Sequence, residues 1–197
     1  MTLTKRSRNI LTILAIGAAI WLGGYVLVGK AFVPQSFKDA RGRAATIAAE
    51  LVSMLNESNK NLDQIAELDR KYQFLLASEM VSQELQRSSE INSKAVELNN
   101  EFLTMAEYLG TVTPVKARNL ANDAIKTELK LVEKIISYNS SLKGLLQILD
   151  FKFAGDIKGN SDEGQKIIEA MNAAAKEVGE LNAEYGRKME EFDRLTK

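Results

Sequence analysis

Few residues in this chain have the type and spacing to do chemistry. Asp156, Asn160 and Asp162 alternate like the ligands of a calcium loop. Such a loop needs glycine at its sixth place and a bidentate glutamate at its twelfth. Here Lys158 falls on a ligand position, Ser161 takes the sixth place and Ile167 the twelfth, so the segment reads as a connection between helices. Glu190 and Glu191 are adjacent. Neighbours on a helix do not face a common point, so they read as a solvated face. Histidine and cysteine are both absent. That removes the commonest general base and the commonest soft metal ligands, and with them Ser-His-Asp and Cys-His catalysis and Glu-x-x-His di-metal bundles. No glycine-rich phosphate loop and no G-x-S-x-G occurs. Asn56-Glu57-Ser58 and Asn139-Ser140-Ser141 match the glycosylation acceptor, a pattern too short to carry an argument. We therefore expect no catalytic, cofactor-binding or metal-binding residue, and no enzyme.

The remaining candidates are for contact. Lys38, Arg41 and Arg43 form a local basic cluster. It lies just after the longest apolar run, where cations can touch anionic lipid headgroups or simply solubilise a first turn. Across the chain, 26 basic residues balance 26 acidic ones. Nucleic acid binding needs a net basic footprint, so no nucleic acid partner is expected.

The apolar run, Ile10 to Val28, is broken only by Thr12 and follows Lys5, Arg6 and Arg8. It is close to the ~20 residues at ~1.5 Å rise that a ~30 Å hydrocarbon core requires. The expectation is a retained signal-anchor over 10–32 behind a basic tail of 1–9. Cleavage after Ala31, at Gly29-Lys30-Ala31, is the rival reading. Ala15, Ala19 and Gly23 would offer a small-residue dimer face. The N-terminal cations favour an N-in orientation with the following domain extracytoplasmic, although Lys30, Lys38, Arg41 and Arg43 follow on the other side.

The rest, 33–197, reads as an all-α domain. No segment alternates like a strand. Pro114 follows Thr113, which reads as an N-cap with proline at the first helical position, and Gly110 closes the helix before it. A second break covers 153–161. These signals predict helices over about 36–109, 114–152 and 162–196. Ala117, Ala121, Ala124, Leu131, Ile135, Tyr138, Leu142, Leu145 and Leu149 keep a heptad seam with only Glu128 off pattern, and flanking apolar residues widen it. A helix with so wide an apolar face should be central.

The first region stays open between two readings. The Asn56–Asn61 run, rich in Asn and polar residues, would serve as a turn, giving four helices. With a bilayer below Pro34, however, a short helix would rise ~35 Å and the next would descend ~70 Å into the membrane. That geometry favours one long helix over 36–109, and an antiparallel bundle of three. Its near half would then carry an unpartnered stripe of Ala44, Ile47, Leu51 and Leu55, expected as an oligomer seam or docking face.

Short tail, single span and helical domain together form a layout similar to that of the LemA family of bacterial membrane proteins, and to the anchored halves of helical sensor domains. The likeness is one of layout, without a shared motif. The functional expectation is a single-pass, membrane-anchored bundle acting as a scaffold or adaptor at the cell envelope, through a protein partner or self-association. The alternative is an extracytoplasmic ligand-sensing bundle working with a membrane partner.

Overall fold

A computed structural model describes residues 31–155 and 161–197. The Ile10–Val28 run, its small-residue face and most of the 156–162 loop lie outside those residues. Among the described residues there is no strand, and four long helices form an antiparallel bundle: α1 (Gln35–Arg70), α2 (Phe74–Glu107), α3 (Val115–Phe153) and α4 (Ser161–Thr196). No helix among them is long and apolar enough to cross a membrane.

The single helix expected over 36–109 is two helices. The chain turns at Lys71-Tyr72-Gln73, not at Asn56–Asn61. α1 closes in a Schellman pattern, with Gln73 N donating to Leu68 O at 3.0 Å and Tyr72 N to Asp69 O at 3.1 Å. Tyr72 takes the left-handed position at φ 57° that glycine ordinarily fills. The break divides the region into 36 and 34 residues. At ~1.5 Å per residue both helices are a little over 50 Å long, so α2 descends about as far as α1 climbs. This removes the geometric objection to a turn, which assumed helices of very unequal length.

α2 ends in a short 3-10 turn, Leu109–Thr111, which contains Gly110. Pro114 precedes α3 and occupies its cap position, without a side-chain cap bond. Thr113 does not cap α3. Its hydroxyl accepts from Phe32 N at 3.0 Å, and its own N–H donates to Phe32 O at 2.9 Å. α3 stops where Gly155 reaches φ 85°. Asp162 and Glu163 lie in the first turn of α4, complementing its dipole.

Backbones approach closely along α1–α2, α2–α3 and α3–α4. The two middle helices, α2 and α3, therefore each have two close neighbours, and α3 is buried through Ala117, Ala121, Ala124, Leu131, Ile135, Leu142 and Leu146. α1 meets α4 at the end where α1 begins: the Phe37 and Phe192 rings stand 5.8 Å apart, and Arg41 makes a two-pronged bond to Asp193 at 2.7 and 3.0 Å. We call this end the base, and the end at Lys71–Gln73 the tip.

Candidate interaction surfaces and buried polar layers

The stripe expected to seek an outside partner has its partners inside the chain. Ala44, Leu51 and Leu55 are fully buried in the core, and Ile47 is half-buried against it. Because the chain turns after Lys71, α2 lies along α1 and covers that face. A ladder of polar contacts fixes the register of the pair: Arg43 to Glu101, Lys94 to Glu50, Arg87 to Glu57 and Asn61 to Glu84. The basic cluster is likewise mostly engaged. Arg41 is held by Asp193 and Arg43 makes a two-pronged bond to Glu101, while Lys38 is exposed.

One face of the Asn56–Asn61 run lines the interior, while Glu57 and Lys60 are exposed. Ser58 is buried, Asn59 accepts from the Tyr138 hydroxyl at 2.6 Å, and Asn61 donates to the buried Glu84 at 2.6 Å. Asn139, also buried, donates to Ser88 O at 2.7 Å and to Asn92 Oδ1 at 2.9 Å, joining α3 to α2. Several buried atoms of this layer have no hydrogen-bond partner among the described residues: Ser58 Oγ, Ser88 Oγ, Asn139 Oδ1, Asn59 Nδ2 and Glu84 Oε2. Buried polar atoms are costly without partners, and ordered water is their ordinary complement. Burial pushes the Tyr138 hydroxyl up to about 12, partly offset by its bond to Asn59.

Closer to the base, Glu128 faces inward at a seam position of α3. Burial pushes its carboxyl up to about 8, so it is mostly protonated at neutral pH. Tyr185 of α4 is buried beside it. Burial and the Glu128 charge raise its hydroxyl's pKa, while Arg41 nearby lowers it. Heptad spacing flagged Glu128 as the one residue off pattern, and spacing alone shows neither its protonation nor its neighbour.

Among the described residues, large exposed apolar side chains gather at the two ends, with Val96 and Leu103 on the wall as exceptions. At the base, Phe32, Tyr108 and Val115 are exposed beside Lys116. The reciprocal bonds between Phe32 and Thr113 tie the lead-in chain to the α2–α3 connection there. At the tip, Tyr72 is 81% exposed, Leu75 86% and Phe151 60%, with Leu76 and Phe74 beside them. Phe74 is braced on both sides: Tyr72 meets it edge-on at 6.0 Å, and Phe153 of α3 stacks on it at 6.0 Å. Lys71 pairs with Glu67 and Lys152 with Asp69, so these rim charges neutralise one another.

The tip was not legible in the sequence, because Tyr72 and Leu75 fit the apolar period of a continuous helix. The usable signal was Phe74-Leu75-Leu76, three successive apolar residues that no single helix face can bury.

Among the described residues, no group of three or more acidic side chains is placed to hold a metal ion. The chain matches no family model, no curated protein and no solved structure.

Proposed function

We propose that this protein is a single-pass, membrane-anchored helical bundle that acts as a structural or interaction component, a scaffold or adaptor, at the cell envelope. In this reading the run of 10–32 is a retained signal-anchor with its N-terminus inside, and the bundle is extracytoplasmic. The observation that carries the reading is the segregation of exposed apolar side chains to the two ends of a polar-walled bundle. At the base, Phe32, Tyr108 and Val115 with the exposed Lys38 have the aromatic and cationic make-up of a membrane–water interface, while Lys116 pairs with Glu191. The Phe32–Thr113 bonds support a fixed orientation, since the chain leaving the anchor is tied to the body three residues before α1 begins. A bundle standing on that base would hold its tip ~50 Å above the bilayer. The contact surface of the scaffold is then the tip rather than the core stripe of α1.

Alkaline extraction of membranes carrying the full chain, with protease digestion from each side, tests the anchoring. Retention in the pellet with the bundle cut only from outside is expected; release into the supernatant refutes it.

A second reading, a ligand-sensing bundle working with a membrane partner, draws support from the unpartnered polar atoms around Ser58, Ser88 and Asn139. A small polar molecule that raises the melting temperature of the full chain, and no longer does so in Asn139→Ala, would favour it.

A further inference from the structure

The tip has a composition and shape of its own. Every residue from Arg70 to Leu76 is exposed, so among the described residues the tip projects as a convex turn. Its apolar members are two leucines and three aromatics, Tyr72, Phe74 and Phe151, and Phe74 is stacked on Phe153 so that the aromatic group is rigid. Tyr72 is held in a left-handed conformation that costs a non-glycine residue free energy, and asparagine or glycine would relieve that cost. At these exposures the five side chains present on the order of 600 Å². A stable protein interface takes ~800 Å² from each partner and needs complementary shape. A small convex projection falls short on both counts. A lipid surface asks only for side chains that can enter the headgroup and acyl boundary, and aromatics with leucine suit that region.

We infer that the tip is a lipid-inserting element, and that in a base-anchored bundle it engages a membrane surface facing it across ~50 Å. This rests on the anchoring reading above. Tyr72, Leu75 and Leu76 enter the interface, with Phe151 flanking them and Phe74 as the rigid support. Charge contributes little, because Lys71 and Lys152 are already paired with Glu67 and Asp69, and Arg70 donates to the carbonyl of Ala66. Insertion therefore needs no anionic lipid and survives high salt, unlike binding by a polybasic patch.

The chain has no cysteine, so Leu75→Cys gives a single labelling site in the full-length protein. The labelled chain, carrying an environment-sensitive fluorophore, is reconstituted into phosphatidylcholine vesicles and mixed with protein-free vesicles of the same lipid. We expect the emission to shift to that of an apolar environment on mixing, with the same label at Val96→Cys on the wall unchanged. Unlabelled wild-type proteoliposomes should capture fluorescent protein-free vesicles, and Leu75→Asp should capture about tenfold fewer. Far-ultraviolet circular dichroism checks that Leu75→Asp keeps its helices.

An emission shift that occurs only when both vesicle populations carry the protein would make the occupant a second copy and overturn the inference. Capture by wild type that Leu75→Asp leaves intact, or an unchanged emission at Leu75→Cys, would also overturn it. Alkaline extraction of the same proteoliposomes reports anchoring separately, so loss of the anchor and failure of the tip give different results.

Discussion

Replacing Glu128 by glutamine removes a carboxyl that the fold holds in its protonated form. The side chain is buried on α3 beside Tyr185, and burial lifts its pKa from 4.5 to about 8. In the unfolded chain the same carboxyl titrates at its ordinary value. Between those two points the folded protein keeps a proton that the unfolded chain has lost. Stability is then fully present below about 4.5, falls as pH rises, and levels off above about 8. The slope is ~1.4 kcal/mol per pH unit, so the whole window is worth about 5 kcal/mol as an upper figure, with relaxation of the site reducing it. The assay is chemical denaturation of the full chain in nanodiscs, followed by circular dichroism from pH 4 to pH 9 in wild type and Glu128→Gln. Glutamine keeps the shape and cannot ionise, so its curve should lose this component. At pH 8.5 Glu128→Gln should be the more stable by at least ~2 kcal/mol, and the gap should close near pH 4. Parallel pH curves for the two proteins would refute the burial argument for this carboxyl.

Other perturbations separate the interior from the surface. Leu51→Ala should cost ~2–5 kcal/mol in denaturant unfolding, because the side chain lies in the core; unchanged stability with altered self-association would instead restore a docking role for that stripe. Asn139→Ala removes both donors to Ser88 O and Asn92 Oδ1 and should lower stability by ~1–3 kcal/mol, checked the same way. Tyr72→Asn should raise stability by ~0.5–1 kcal/mol by relieving the left-handed conformation, while weakening any contact made by the tip. A stability loss in Tyr72→Asn would mean that its edge contact with Phe74 outweighs the strain.

The parts of the fold that could be read in the sequence are those with local causes. Pro114 and Gly155 mark the two ends of α3, and the 4-3 spacing from Ala117 to Leu149 gives its buried face. The turn at Lys71–Gln73 has no such mark. It carries neither glycine nor proline, and a tyrosine takes the left-handed position. The Asn56–Asn61 run failed as a guide for the opposite reason. Its polar residues resemble a turn, yet their partners Tyr138 and Glu84 come from α3 and α2, far along the chain. Composition reports that a side chain is polar, and only the tertiary fold reports whether a partner awaits it. The same holds for Leu51 and Leu75. Both fit an apolar helical period, but α2 covers the first and the end of the hairpin leaves the second in solvent.

The central claim is that the bundle stands outside the membrane, anchored at its base. Cysteine labelling in intact cells tests it most directly, since the only thiol in Val96→Cys, on the exposed wall, is the one introduced. A membrane-impermeant maleimide should label Val96→Cys without lysis, on a chain that stays in the membrane pellet after alkaline extraction. Labelling that appears only after the cells are broken, or a labelled chain released into the soluble fraction, would contradict the account.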